Sequence, residues 1–427
     1  MEQKKLRWMK LDNAGKIFPA ARRRKWVNIF RLSVNLKEEI DPNILQNALN
    51  NIIKRFPSIA VRLNKGMFWY YLEEIPEAPI ILIDKSYPTS IMHFKDIKKC
   101  AFRVLYYNKR IAVEFFHALT DGSGGLVFLK TLTAEYLKLK YNIQISTING
   151  VLDINETPLD EELEDSFPKY ASDVSASRKE DNAFKLKGTK EIDGYLNNIT
   201  GIINTKEILN LAKSYNVSLT IFLTAVLIVS LDKIQKERVN NPKKYKPIKV
   251  MIPVNLRNMF DSKTLRNFAL YITPRIDPKM GDYTFEEILK SVYFQMGADL
   301  TSKKMASRIT TNVKAEKTWI VKILPLFIKN FAMKSIYDMV GEKKSCLNIS
   351  NLGKISVPLE MEEYIDRFDF VLGIQAVLTN NCSVVSFKNK LVINFVRNIK
   401  EPTLEYYFFS YLKKLGLNIK IESNQRW

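Results

Sequence analysis

The first clear pattern of apolar positions covers residues 38–56 and predicts an amphipathic helix. Asp41 suits the N-cap, and Pro42 suits the first turn because proline has no N–H to leave unpaired there. Segments 56–63 and 66–75 then read as strands with aromatic bulk. The apolar residues of the helix recur at the spacing of one face: Ile44, Leu45, Ala48, Leu49, Ile52 and Ile53.

Residues 101–116 predict a β-hairpin that leads directly to a histidine. Two apolar strands flank the pair Asn108-Lys109, and asparagine tolerates the positive φ of a tight turn. His117 follows the second strand, in the sequence HALTDGSGG. We expect a short loop through the glycines and then a helix. Its apolar stripe contains Leu126, Leu129, Leu132, Tyr136 and Leu137.

The second half of the chain again mixes helices with strands. An acidic and then polar stretch, 150–195, separates it from the first half. The apolar patterns predict helices at 206–214, 218–237, 284–300, around 319–339 and at 402–416. They predict strands at 248–257, 267–277, 346–352, 368–377 and 382–397, the last with a turn at Lys388-Asn389.

A chain of 427 residues predicts two domains rather than one core. We place an N-terminal domain with the histidine motif at 1–165, a linker or crossover at 166–195, and a C-terminal domain at 196–427. The fold class is α/β, with helices packed on mixed sheets in each domain.

No segment reads as a membrane span or as a signal peptide. The longest apolar run, 219–231, is 13 residues long, which fits a buried helix. The N-terminus is charged and has no apolar core typical of a signal. The helix around 319–334 is apolar with interspersed lysines, which suits either a core helix or a membrane face. We expect a cytoplasmic protein.

Cysteine and histidine are too few and too scattered for a zinc site. The three cysteines, Cys100, Cys346 and Cys382, show no metal-ligand spacing, and the chain has only 2 histidines. We therefore predict no metal and free thiols in a reducing compartment. His93, the second histidine, reads as a surface or hydrogen-bonded side chain.

The net charge of +21 leaves several partners open. An excess of lysine and arginine attracts anions, including the phosphates of CoA or an acidic carrier protein, or it is simply a solvated surface. Nucleic-acid binding is disfavoured because no recognition motif accompanies the charge.

The histidine motif has the features of a general base. Near neutral pH an imidazole on a short, stiff loop can take a proton from a hydroxyl or an amine. Asp121 has two readings at this point: it orients the ring of His117, as in a catalytic triad, or it pairs with an arginine elsewhere. No G-x-S-x-G elbow surrounds Ser123, which disfavours a serine nucleophile. The alternative is a histidine that merely satisfies buried polar groups.

With these residues the chain resembles the CoA-dependent acyltransferase superfamily, which includes chloramphenicol acetyltransferase and condensation domains. HALTDG (117–122) matches the superfamily's H-x-x-x-D-G, PVNLR (253–257) resembles the segment that carries its partner arginine, and SNLG (350–353) resembles a loop facing its tunnel. Segments 8–20, 44–63 and 340–353 are similar to the bacterial alcohol acetyltransferase-like branch.

The resemblance implies two chloramphenicol acetyltransferase-like domains that meet in a V, with His117 near the centre of a tunnel. It implies a monomer that transfers an acyl group, such as acetyl, from acyl-CoA to an alcohol, with no resident cofactor. His117 would be the general base, and Ser350 with backbone N–H groups near Gly122 would stabilise the oxyanion. Asp121 and Arg257 would form a structural salt bridge across the domains.

Alternatives remain at each of these points. Ser350 also reads as an ordinary polar residue at a strand end, and Arg257 also suits a phosphate of CoA. Within the same fold, the donor could be an acyl carrier protein, and the acceptor an amine, a lipid or a polyketide. A binding module that keeps the fold without turnover is a further alternative.

Overall fold

The computed structural model describes residues 6–21, 28–176, 180–318, 324–336, 342–375 and 377–425. The ends of the helix predicted around 319–339 lie outside these ranges. The helices are α1 (Ile17–Ala21), α2 (Pro42–Ile52), α3 (Phe94–Ile97), α4 (Gly122–Tyr141), α5 (Asp160–Leu163), α6 (Thr205–Ser214), α7 (Leu219–Arg238), α8 (Phe285–Asp299), α9 (Ser302–Lys317), α10 (Leu326–Ile336), α11 (Leu359–Glu362) and α12 (Thr403–Lys414).

The strands belong to three sheets. They are β1 (Trp8–Lys10), β2 (Ile29–Leu36), β3 (Val61–Lys65), β4 (Tyr70–Glu74), β5 (Leu82–Ile83), β6 (Phe102–Tyr107), β7 (Arg110–Phe116), β8 (Asn197–Asn204), β9 (Ile248–Asn255), β10 (Ala269–Ile272), β11 (Arg275–Ile276), β12 (Leu347–Lys354), β13 (Ile365–Leu372), β14 (Asn380–Phe387), β15 (Lys390–Arg397) and β16 (Ile419–Ser423). Strands β1, β4 and β3 form a small separate sheet. The mixed α/β class predicted from the sequence is confirmed.

The N-terminal sheet has the strand order β13-β2-β7-β6-β5 and carries the histidine loop. The alternation along β2 sends Phe30, Leu32 and Val34 into one core, where α4 covers β2 and α2 packs on α4. Helix α2 starts as predicted, because the Asp41 side chain accepts the N–H groups of Asn43 and Ile44.

The second sheet has the strand order β10-β9-β12-β14-β15-β8-β16, with β11 beside β9. Helix α7 packs between this sheet and helices α8 and α12, so it is buried on nearly all sides. This accounts for the long apolar run at 219–231, which the sequence assigned to a buried helix. Strands β8 and β16 were not predicted.

Strand β13 joins the two halves of the chain. It belongs to the C-terminal half by sequence, yet it pairs antiparallel with β2 along its length, with Phe370 opposite Leu32. Its other contacts are with β14 and β15 of the second sheet. The two halves therefore interlock through a shared strand.

Within the described ranges, no helix is by itself both long and apolar enough to cross a bilayer. Helices α6 and α7 taken together are long and apolar enough for a span, but they meet at a bend of 80°.

Candidate functional site

His117 follows directly after β7 and is held there by backbone hydrogen bonds. Its N–H donates to the Asn28 carbonyl at 2.9 Å, which extends the pairing of β7 with β2. The N–H of Leu119 then turns back to the Phe116 carbonyl at 3.0 Å. The side chain of His117 is half-buried at this strand end, where function-bearing residues on a rigid scaffold are commonly found.

Helix α4 begins earlier than the sequence predicted. The glycines were expected in a loop, but Gly122, Gly124 and Gly125 lie in the first turn of α4. The reason is Asp121, whose Oδ1 accepts the N–H groups of Ser123 and Gly124 at 3.1 and 3.2 Å and so caps the helix. The helix N-terminus therefore lies immediately beyond the histidine loop.

Two aromatic rings fix the plane of the His117 ring. Phe18 of α1 stacks on it with the centroids 4.5 Å apart, and Phe30 of β2 meets it edge-on at 5.1 Å. Such contacts restrict the rotation of a half-buried imidazole and limit the water around it.

One ring nitrogen of His117 has a polar partner. Nδ1 lies 3.1 Å from Oδ1 of Asn267, in the segment that leads into β10. Nε2 has no hydrogen-bond partner among the described residues. Asn267 also donates from Nδ2 to Oδ2 of the buried Asp12 at 3.2 Å.

Burial lowers the pKa of His117 below its ordinary value of 6.5. A hydrogen bond to its own main chain, the charge of Asp121 and the contact with Asn267 oppose this effect in part. The ring is therefore neutral at pH 7, which is the form that can accept a proton.

Asp121 is saturated by donors other than the His117 ring. Its Oδ2 accepts from Arg257 Nη1 at 2.8 Å and from the Phe268 N–H at 2.9 Å, in addition to the two capping bonds at Oδ1. Burial raises the pKa of Asp121, but Arg257 and the N–H donors outweigh it and hold the carboxyl below its ordinary range. The structure thus places Asp121 in an ion pair and a helix cap.

Each of the three side-chain nitrogens of Arg257 donates a hydrogen bond inside the protein. Its Nε donates to the Thr264 carbonyl at 2.8 Å and its Nη1 also reaches Oδ1 of Asn255 at 3.1 Å, while Nη2 donates to the Arg266 carbonyl. The pair with Asp121 therefore fastens the histidine loop to the segment that ends in Asn267.

The glycines of the motif allow other backbone segments to approach. A β-carbon at Gly124 would lie 2.1 Å from the Leu265 carbonyl oxygen, and one at Gly122 would lie 2.8 Å from Cδ2 of Leu352. The first contact is to rigid backbone, so Gly124 leaves no room for a side chain. The second brings β12 against the histidine loop.

Ser350 lies on β12, half-buried and in register with Ser383 of β14. Leu352 follows two residues later, where the pairing of β12 with β14 shifts register between Asn351 and Lys354. Leu352 in turn contacts Gly122. The segments 117–122, 253–257 and 350–353 therefore converge, although they are far apart in the sequence.

Sequence reasoning missed three side chains of this site: Phe18, Asp12 and Asn267. The first two lie in the segment 8–20, which was noted only for its resemblance to a family branch. Asn267 lies in a segment that read simply as a strand. No spacing relates these positions, so only the fold brings them to His117.

A cavity of about 440 Å³ opens between the two large sheets, and His117 is not among its lining residues. Two of its arginines are paired: Arg31 binds Asp84 and Glu114 at 2.8 and 2.7 Å, and Arg367 binds Glu422 at 2.7 Å. The lining of the cavity is thus largely polar and charged. Within the described part of the chain, no group of three or more His, Cys, Asp and Glu side chains could hold a metal ion.

No protein-family model matches the chain, and no curated protein matches it. Solved structures match it over nearly its whole length. A trichothecene 15-O-acetyltransferase from Fusarium sporotrichioides is 11% identical, with a TM-score of 0.62 and coverage of 95% of this chain and 94% of that chain.

Two further structures match as well. TRI101 from F. sporotrichioides, in complex with coenzyme A and T-2, is 11% identical with a TM-score of 0.62, covering 97% of this chain and 99% of that one. The first condensation domain of the calcium-dependent antibiotic synthetase, in complex with a substrate analogue, is 10% identical with a TM-score of 0.62, covering 96% of both chains. The fold resemblance predicted from HALTDG and its companion segments is therefore confirmed.

Proposed function

We propose that the protein is an acyltransferase that moves an acyl group, such as acetyl, from a CoA thioester to an alcohol hydroxyl. The observation that carries the proposal is the state of His117. Its ring is neutral and clamped between Phe18 and Phe30, Nδ1 is engaged by Asn267, and Nε2 is left for a substrate. A proton acceptor in this state suits the activation of a hydroxyl.

In the proposed reaction, Nε2 of His117 takes the proton of the acceptor hydroxyl as its oxygen attacks the thioester carbonyl. The tetrahedral intermediate carries the negative charge on the former carbonyl oxygen. Its collapse breaks the carbon–sulfur bond, and the departing thiolate takes the proton back from the imidazolium. The products are the ester and free thiol, and His117 returns to its neutral form.

Ser350 and the Gly122 N–H are the proposed donors to the oxyanion. The Asp121 side chain caps Ser123 and Gly124 but not Gly122, and the first N–H groups of a helix have no partner within it. Leu352, two residues after Ser350, lies against Gly122, which supports this assignment. Two such donors stabilise the charge that develops in the transition state.

Asp121 and Arg257 are proposed as the structural pair of the site. Every polar contact of Arg257 is internal, which supports this role over binding a phosphate of CoA. One chain supplies His117 and all of these partners, so a monomer suffices. The three cysteines are free, which supports a reducing, cytoplasmic setting.

A carrier-protein thioester is a second candidate donor, and one observation favours it. The condensation domain matches the chain as well as the acetyltransferase does. The net charge of +21 suits the phosphates of CoA and an acidic carrier protein alike. An amine, lipid or polyketide acceptor fits the same mechanism, because His117 would deprotonate any of these nucleophiles.

The test is acceptor-dependent thiol release. The full chain is incubated with acetyl-CoA, longer acyl-CoAs and an acyl-phosphopantetheinyl carrier protein, each with a panel of alcohols and amines. The proposal expects thiol release that requires an alcohol, with the ester detected by mass spectrometry. Thiol release only from the carrier protein would replace CoA as the donor in this proposal. Release only with amines would replace the alcohol as the acceptor. Acyl-CoA binding without turnover across the panel would favour the binding module.

A further inference from the structure

Three side chains from distant parts of the sequence form one hydrogen-bonded chain behind His117. Nδ1 of His117 contacts Oδ1 of Asn267 at 3.1 Å, and Nδ2 of Asn267 contacts Oδ2 of Asp12 at 3.2 Å. Asp12 and Asn267 are both buried. Neither residue belongs to the histidine motif or to the arginine segment.

The contacts of Asp12 determine which way the Asn267 amide points. Asp12 receives only donors: the Gly15 N–H at 2.6 Å, the Asn267 N–H at 3.4 Å and the Asn267 side chain, with Arg266 Nε 3.7 Å away. If the amide were flipped, its oxygen would face a carboxylate oxygen at 3.2 Å. The amide NH2 therefore faces Asp12 and the amide oxygen faces His117.

The orientation of the amide also fixes the proton on the ring. An amide oxygen only accepts hydrogen bonds, so Nδ1 of His117 must carry the hydrogen and Nε2 must carry the lone pair. A free histidine side chain prefers the opposite tautomer, with the hydrogen on Nε2. The contact with Asn267 adds to the hydrogen bond between the ring and its own main chain in reversing this preference.

We propose that Asn267, itself held by Asp12, is a positioning residue that fixes His117 in the Nδ1–H tautomer and so presents the Nε2 lone pair to the acceptor. The inference rests on the proposed general-base role of His117. Asn267 does not touch the reacting atoms; it acts through the ring, as the orienting partner of a catalytic histidine does.

The choice of a neutral amide has a chemical consequence. A carboxylate beside Nδ1 would stabilise the imidazolium and favour the protonated ring, whereas an amide orients the ring without adding a charge. Asp12 lies one residue further away: burial raises its pKa, and Arg266 with the N–H donors of Gly15 and Asn267 opposes this in part. The arrangement thus sets the tautomer while the ring stays neutral.

The direct test is nitrogen NMR on the full chain with 15N-labelled histidine. The protein has only 2 histidines, so His117 and His93 give two sets of ring signals. We expect a pyridine-type signal from Nε2 and a pyrrole-type signal from Nδ1 of His117. His93 is exposed and serves as the internal reference, with the ordinary preference for Nε2–H. An Nε2–H tautomer at His117 in the parent protein would overturn the inference without any variant.

Variants then test whether Asn267 and Asp12 determine the tautomer of His117. In Asn267→Ala we expect the His117 tautomer to shift toward Nε2–H and kcat to fall on the order of 10- to 100-fold with KM within about twofold, less than the full worth of a general base. Asp12→Asn keeps the size but lets the Asn267 amide take either orientation, so we expect a mixture of tautomers and a smaller loss. Asn43→Ala, at an exposed asparagine on α2, is the matched control and should change neither.

The two readouts separate this inference from the proposed function. A tautomer that depends on Asn267 in a protein that transfers no acyl group would support the inference and refute the function. Transfer that depends on His117, with tautomer and kcat unchanged in folded Asn267→Ala, would refute the inference alone. If Asn267→Ala does not fold, the parent protein and Asp12→Asn decide in the same way.

Discussion

The ion pair between Asp121 and Arg257 makes a quantitative prediction about stability. The side chains are only 9% and 14% exposed, and the Asp121 carboxylate accepts four N–H donors in all. Asp121→Asn replaces one oxygen by an NH2 group, which then faces N–H donors on one side. Removing one partner of a buried pair costs about 3–5 kcal/mol. We expect the lower end, about 3 kcal/mol, because both side chains keep some contact with water and asparagine is still a good N-cap.

The assay is urea-induced unfolding at neutral pH, followed by tryptophan fluorescence. The native pKa of Asp121 lies below its ordinary value of 3.8, so its contribution to the free energy of unfolding is complete at neutral pH. That contribution is lost only as the pH falls through the native pKa, where the parent protein converges on the variant. A loss of 3 kcal/mol is a large part of the 5–15 kcal/mol of a typical domain.

The matched control is the ion pair of Asp299 with Lys304, at 2.9 Å but with the side chains 29% and 51% exposed. Asp299→Asn should cost less than about 1 kcal/mol, because water screens an exposed pair. The reasoning is refuted if Asp121→Asn unfolds at the same urea concentration as the parent protein yet loses activity. That result would instead give Asp121 a direct part in catalysis.

Three further predictions follow from the site. Gly124→Ala forces a β-carbon against the Leu265 carbonyl and should cost about 1–3 kcal/mol in the free energy of unfolding, whereas Gly297→Ala in α8, with open space around it, should be stabilising by roughly 0.5–1 kcal/mol in the same denaturation assay. Ser350→Ala should lower kcat about 10²–10³-fold if its hydroxyl serves the oxyanion, and an unchanged kcat would leave it an ordinary polar residue. Because burial lowers the pKa of His117, kcat/KM should be flat near pH 7 and fall only below pH 6.5; a midpoint above that value would contradict a half-buried, neutral base.

Local chemistry made part of the fold predictable from the sequence. Asp41 and Pro42 mark the start of α2 within one turn, because capping depends on neighbouring residues only. The hairpin of β6 and β7 was predicted for the same reason, and Asn108 has the positive φ expected of its turn. The glycine cluster misled because glycine usually breaks helices, while the capping by Asp121 starts α4 directly before it.

Long-range pairing was not predictable in this way. The pattern of β13 shows a strand, but nothing in its residues says that it pairs with β2 of the other half. The hydrogen-bonded chain behind His117 was not predictable for the same reason. Asp12 and Asn267 are 255 positions apart in the sequence, and only the fold brings their side chains together.

The central claim is that His117 is the base of an acyl transfer, and one comparison tests it most directly. Acceptor-dependent thiol release is measured for the parent protein, for His117→Ala and for His93→Ala, which removes the other histidine of the chain. All three should unfold at similar urea concentrations. The account predicts that His93→Ala keeps the parent rate, while His117→Ala loses at least about 10²–10⁴-fold, the worth of a general base. Equal rates for the parent protein and folded His117→Ala would contradict it.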